Sequence, residues 1–182
     1  SDKRVAIHVK PAAERVLHAG HPWVFENSIR KQSHEGQPGD LAVIFDSKRR
    51  FLAIGLYDPH SPIRVKVLQH RQQATIDRNW FTERLHAAIA IRQPLVTEQT
   101  NGYRLFHGEN DGFPGLVIDV YSGTLVMKLY SMAWLPHLKD IITALQTLQS
   151  FDRLLLRLSR NIQRLAAPYD LRDGQVLIGD EI

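Results

Sequence analysis

Three side chains able to hold a hard cation stand two residues apart in this chain: His107, Glu109 and Asp111. Alternate residues of an extended strand share one face, so the three would converge as in a metal or hydrolytic centre. The same residues overlap Asn110-Asp111-Gly112, a strong turn sequence in which acidic side chains cap backbone amides without any metal. No second His, Asp or Glu cluster completes a coordination shell, so the turn is the better reading and no metal ligand is expected. A metal-dependent hydrolase stays as a third-ranked alternative. The 182 residues include no cysteine, which removes thiolate metal sites, disulfides and a thiol nucleophile. No G-x-S-x-G motif occurs, and scattered Ser, His and Asp residues are no sign of hydrolysis. A nucleotide cofactor would ask for a glycine-rich turn between a strand and a helix, and the 11 glycines never form one. The chain is therefore expected to hold neither a catalytic residue nor a cofactor.

The cations tell more. Residues 1–75 carry 12 Lys or Arg against 7 Asp or Glu, together with six of the nine histidines, whereas residues 76–182 carry 11 against 12. Phosphate binding needs cations gathered on one surface, and base stacking needs exposed planar groups. Arg15 and His18 stand near the end of an expected first helix, with Gly20 and His21 in the loop that follows. Glycine there would let the backbone approach a ligand closely. Lys48, Arg49 and Arg50 sit at an expected hairpin tip, and Arg64 with Lys66 falls on one face of an expected strand. Lys48, Arg49, Arg50, Arg64 and Lys66 are candidate RNA contacts by charge and placement, each weighed against the plain reading of a solvated charge. Trp23 and Phe25 alternate with Val24, so at least one face of that strand belongs to a core. Arg153, Arg157, Arg160 and Arg164 recur every three to four residues and suit either an RNA surface or contact with a further domain.

The elements that must position these groups follow from periodicity. Val5 to Val9 alternates as a short strand; Pro11 opens a two-turn helix that Gly20 stops. His21 to Phe25 reads as a strand entry, Gly36 to Gly39 as a turn, and Leu41–Phe45 and Phe51–Tyr57 as strands joined by residues 46–50. Ile63 to Leu68 adds another strand, giving five or six strands and one early helix, a compact β-barrel. Residues 70–77 are polar and read as a linker. Thr75 or Asp77 then caps a helix to about Arg92 that buries Trp80, Phe81, Leu85, Ala88, Ile89 and Ile91, with Pro94 ending it. Two strands around the acidic turn of Tyr103–Tyr121, a strand from Thr124 to Tyr130, a helix from Leu135 to Leu148, a strand from Phe151 to Leu158 and a short strand at Val176–Ile178 complete an α+β region.

Composition is that of a folded protein, 43% apolar and 23% charged, with net charge +4 and no apolar run long enough to span a membrane. No signal-peptide core opens the chain, so a cytoplasmic location is expected. The window Tyr103–Tyr121, YRLFHGENDGFPGLVIDVY, resembles a pattern of the large-subunit rRNA methyltransferase I family. Arg104, Gly108, Glu109, Asp111, Gly112, Pro114, Gly115, Leu116, Asp119 and Tyr121 fall on it. Residues 20–25, GHPWVF, with Gly39-Asp40, Gly55-Leu56-Tyr57, Ser61 and Ile63-Arg64-Val65, resemble the PUA domain at the front of that family. Through this resemblance Arg15, His18, Gly20 and His21 join the candidate RNA contacts, because they occupy the helix-to-strand loop that PUA domains use against RNA, each again weighed against the plain reading.

The resemblance covers residues 4–158. It implies a mixed β and α+β fold: a PUA-like RNA-binding β-barrel over residues 4–70 and a central α+β domain over residues 76–180. It further implies an S-adenosylmethionine-dependent enzyme, similar to those that make 5-methylcytosine in 23S rRNA, whose Rossmann-like donor domain and nucleophilic cysteine lie beyond Ile182. The fragment itself is expected to bind no donor and methylate nothing, with large-subunit rRNA as its partner, no membrane, and an oligomeric state that the sequence does not set. The competing expectation is a stand-alone PUA-type RNA-binding or adaptor protein without enzymatic activity.

Overall fold

The computed structural model describes residues 4–97 and 102–181. The chain divides into two compact units. The first comprises Ser1–Thr75 with two later returns, Gly112–Pro114 and Met132–Pro136; the second comprises Ile76–Asp111, Gly115–Ser131 and His137–Ile182.

In the first unit, strand alternation sets the sheet. Strand β1 (Val5–Val9) buries Val5, Ile7 and Val9 and turns Ala6 and His8 outward. Helix α1 (Pro11–His18) starts on proline, whose missing N–H costs nothing there, and buries Ala13 and Leu17. Gly20, at φ +93°, stops it in the left-handed region that L side chains avoid. Strands β2 (Trp23–Phe25), β3 (Ile29–Gln32), β4 (Leu41–Phe45), β5 (Phe51–Tyr57) and β6 (Ile63–His70) complete a six-stranded sheet of order β2-β6-β5-β4-β1-β3. All neighbours are antiparallel except β1 and β4. Val24 of one edge strand and Ile29 of the other join the same apolar cluster as Ile7, Ile44 and Tyr57, so the sheet curls around that cluster. Strand β3 is a departure from the sequence reading: Ile29-Arg30-Lys31-Gln32 offers one apolar residue, and its pairing to β1 supplies what composition lacks.

The second unit begins with helix α2 (Arg78–Thr97), whose first turn is capped by Asp77 accepting the Trp80 N–H at 2.9 Å. It buries Trp80, Phe81, Leu85 and Ala88, but Ile91 is 71% exposed. Pro94 lies inside the helix instead of ending it. Its ring costs one bond to the carbonyl of Ala90, and that residue is exposed, where water can substitute. Strands β7 (Gly102–His107), β8 (Leu116–Tyr121), β9 (Thr124–Leu129), β10 (Arg153–Leu158) and β11 (Val176–Ile178) form a sheet of order β11-β10-β9-β8-β7. Ser122 and Gly123, at φ 42° and 84°, make the two-residue turn whose twist suits a β8–β9 hairpin. Helix α3 (Leu138–Leu148) connects the parallel pair β9 and β10. It begins three residues later than periodicity predicts, because Pro136 belongs to a preceding 3-10 turn, Met132–His137. A short helix α4 (Arg160–Ala166), also absent from the sequence reading, buries Ile162 and Ala166 one turn apart.

Candidate nucleic-acid interface

In the first unit, the β4–β5 hairpin tip is organised by one carboxylate. Asp46 is 1% exposed; its Oδ1 accepts the Lys48 and Arg50 N–H groups at 2.8 Å each, and its Oδ2 accepts the Arg50 Nε–H at 2.8 Å. The Arg50 backbone bond above all, aided by the Arg50 side chain and the Lys48 amide, holds its carboxyl below the ordinary carboxylate range against the opposing effect of burial. With the loop locked, Arg49 takes φ 62° and all three cations stay exposed. Arg50 is thus committed to Asp46, whereas Lys48 and Arg49 form no ion pair among the described residues. The Ser47 N–H donates to Glu14 Oε1 at 2.7 Å, tying the tip to α1.

Beside this tip lies a recess of about 490 Å³ lined by His8, Val9, Arg30, Lys31, Ser47 and Arg49. Arg30 and Lys31, both exposed on β3, also have no ion pair among the described residues. Three cations with no carboxylate partner therefore face one concavity, an arrangement that suits a phosphate. Sequence reasoning missed two of the three, since Arg30 and Lys31 belong to the strand that composition did not reveal. The lone adjacent basic pair in an otherwise polar stretch was the available signal.

The loop after α1 holds the next group of predicted contacts. Arg15 and His18 are exposed on the helix, and the His18 carbonyl accepts from Arg71 at 3.2 Å. A side chain at Gly20 would meet nothing within 4 Å, so the loop is open to an approaching ligand. His21 accepts the Trp23 N–H on Nδ1 at 3.2 Å, while its carbonyl lies 2.8 Å from His70 Nε2. Its ring meets Trp23 edge-on, with centroids 5.8 Å apart, and Trp23 meets Phe25 likewise at 6.0 Å. Val24 is the core residue of this strand, leaving Trp23 half-buried and Phe25 40% exposed on the opposite side.

The pair on β6 does not join this surface. Lys66 is 5% exposed; its ammonium donates to the Ile63 carbonyl at 2.7 Å and pairs with buried Asp58 at 3.3 Å. Asp58 also accepts the His60 N–H at 2.9 Å. An ammonium withdrawn from water needs such partners, and they leave Lys66 unavailable to a phosphate. Arg64 is partly buried and pairs with Glu26 at 3.1 Å. The basic strip expected along this strand is therefore reduced to a paired Arg64.

In the second unit, the acidic window is structural. Arg92 grips Asp111 with two bonds, at 3.2 and 2.6 Å, and the His107 N–H donates to the same carboxylate at 2.6 Å. Asn110 lies 3.0 Å from His107 Nδ1. Arg104 pairs across strands with Asp119 at 2.8 Å. Among the described residues no group of three His, Cys, Asp or Glu is placed to hold a metal ion. Of the later arginines, Arg157 pairs with Asp173 at 2.8 Å, and the Arg153 Nε–H donates to the Asp180 carbonyl at 2.8 Å.

A methyl-donor cradle would need a strand opening into a helix through glycine, so that backbone can approach the ligand. The strand-to-α-helix junctions β1–α1 at Lys10, β6–α2 at residues 71–77, β9–α3 at residues 130–137 and β10–α4 at Ser159 contain no glycine, and Gly108 after β7 opens only a four-residue 3-10 turn, Gly108–Asp111. These residues do not fit such a group. No described helix is long and apolar enough to cross a membrane.

Residues 7–70 match a family described as a PUA-like domain. Over 185 aligned positions the chain is 48% identical to a ribosomal RNA large subunit methyltransferase of Deinococcus radiodurans, covering 99% of this chain and 45% of that protein. It is 34% identical to a ribosomal RNA large subunit methyltransferase I of Alteromonas mediterranea, covering 77% of this chain and 36% of the relative. Similarity thus extends past residue 158, where the sequence resemblance thinned. Among solved structures, a putative SAM-dependent methyltransferase from Streptococcus mutans superposes with a TM-score of 0.79 at 16% identity, over 97% of this chain and 44% of that one. A putative methyltransferase complexed with SAH gives 0.78 at 15% identity, over 98% and 43%. These likenesses show the fold, and the chain spans less than half the length of the relatives it matches.

Proposed function

We propose, for a chain that is a sequence relative of the large-subunit ribosomal RNA methyltransferases and carries a PUA-like domain, that it supplies the RNA-holding part of such an enzyme. Residues 4–70 hold the RNA and residues 76–180 orient the catalytic part of the whole protein. In this reading the substrate is large-subunit rRNA, met in the cytoplasm, and S-adenosylmethionine is the methyl donor of the whole protein. Cytosine carbon 5 is the proposed target; that reaction needs a thiol to attack carbon 6, and its cysteine would come from outside these 182 residues, which hold none.

The observation that carries the reading is the recess where Arg30, Lys31 and Arg49 converge without a carboxylate partner among the described residues. Phosphates fit that charge, and the open loop of His18, Gly20 and His21 offers a second contact on the same unit. Supporting the orienting role, the sheet of the second unit presents Tyr121, Val126, Leu155 and Val176 along an open recess of about 530 Å³.

The test is the salt dependence of affinity for an rRNA-derived oligonucleotide. Affinity should fall steeply with salt, and Arg30→Ala or Arg49→Ala should each flatten the log–log slope by about 0.7–0.9. Unchanged slopes in both variants would remove the recess from the interface.

A further inference from the structure

Four outward-facing residues form one row across four strands of the first unit. Lys31 on β3 is the register partner of His8 on β1, His8 of Phe45 on β4, and Phe45 of Phe51 on β5. Directly opposed residues point to the same side of a sheet. That side is the outer one, because Val9, Ile44 and Leu52, the chain neighbours of these rings, are core. The His8 and Phe45 rings are stacked, with centroids 5.4 Å apart and planes inclined by 24°.

An outward sheet face in a soluble protein ordinarily carries polar side chains. Here His8, Phe45 and Phe51 are half-buried planar groups, and the next row inward, Ala6, Val43 and Ile54, is small or apolar. A trough of about 290 Å³ runs along these residues. His8 also lines the cationic recess, so the rings and the trio of Arg30, Lys31 and Arg49 are continuous. Cations that track a backbone beside rings that accept bases are the two parts of a single-strand site.

We infer that this row binds an unpaired RNA segment, with two or so bases laid on His8, Phe45 and Phe51 and their phosphates on Lys31, Arg30 and Arg49. The inference rests on the RNA reading above and narrows it to single strands. A duplex keeps its base faces inside the stack, so only unpaired bases can use the rings. The adjoining charge favours RNA over an apolar protein segment, which would leave three cations without partners.

Fluorescence anisotropy of the full chain with a single-stranded oligoribonucleotide and with a duplex of the same length tests it. Phe45→Leu and Phe51→Leu keep apolar bulk but remove the stacking face, and thermal unfolding checks that each variant is folded. Each should weaken single-strand binding by about tenfold, the loss of one stacked base, with duplex affinity and the salt slope unchanged. Lys31→Ala should flatten the slope for both RNAs. Wild-type single-strand affinity in both ring variants overturns the inference, as it would if the face serves a protein partner; equal losses on the duplex also overturn it. Failure of the broader RNA reading looks different: the unaltered chain would then show no salt-dependent affinity for either RNA.

Discussion

Lys31 and Lys66 are the same residue type on strands of one sheet, and their surroundings give them opposite roles. Lys31 is exposed beside a recess, and no carboxylate among the described residues pairs with it. Lys66 is buried with its ammonium between Asp58 and the Ile63 carbonyl. Strand alternation alone made Lys66 look like a surface cation, because the sequence does not record that residues 65–68 of β6 and the β5 residues after Phe51 are buried on both faces. Removing one member of such a pair strands a buried charge, so Asp58→Ala should destabilise the chain by about 3–5 kcal/mol. Replacing both, with Asp58→Leu and Lys66→Met, should recover much of that loss. Urea unfolding of the three proteins measures this, and equal losses in the single and double variants would contradict a buried ion pair. RNA affinity should be unaltered by the double change, which separates Lys66 from Lys31.

The β4–β5 hairpin shows how an element presents a charge. Its tip is shaped by the Asp46 carboxylate, which closes the loop on the Lys48 and Arg50 amides and holds Arg49 in a left-handed conformation. Because those bonds favour the ionised form, the folded carboxyl titrates lower than the unfolded one. The stabilisation is therefore complete above an ordinary aspartate value of about 4 and is lost as pH falls below it through the depressed folded value. Amide resonances of Lys48 and Arg50 should move together in that acid range, and Asp46→Asn should abolish the transition. An unmoved pair of resonances would mean that another group closes the loop. Much of the element plan was legible: β4 and β5 follow from their apolar runs, a cap at Thr75 or Asp77, of which the structure uses Asp77, from its place before an apolar stripe, and the acidic turn of 108–111 from its residue types. What escaped depends on tertiary context. Strand β3 exists through its partner β1, and Pro94 is carried on an exposed helix end. Consequently the loop after α1 and the hairpin tip could be picked out as a candidate surface, but the recess that Arg30 and Lys31 complete could not.

At the scale of the whole molecule, the sequence reading drew a domain edge near residue 70, and the packing of the first unit gives a reason to test it. That unit includes Gly112–Pro114 and Met132–Pro136, which lie far along the chain. They bring Phe113 and Trp134, both fully buried, with ring centroids 5.1 Å apart and the Trp134 Nε1–H donating to the Pro114 carbonyl at 2.8 Å. Gly39 marks how closely they pack on the sheet's own loops, since a side chain there would press into Pro136 and the Ala133 carbonyl. A chain cut to residues 1–75 keeps the whole six-stranded sheet and its basic recess but loses these two aromatic anchors. Deleting one such buried ring typically costs about 3–5 kcal/mol. Amide exchange at Ile7 and Ile44, core positions of β1 and β4, should therefore be much faster in the 1–75 piece than in the full chain. Phe113→Ala in the full chain should move exchange at the same amides in the same direction. Equal protection in piece and full chain would make the first 75 residues a self-sufficient folding unit. The cationic recess would then be separable from everything that follows it, and the 1–75 piece should bind RNA with the same salt slope as the full chain.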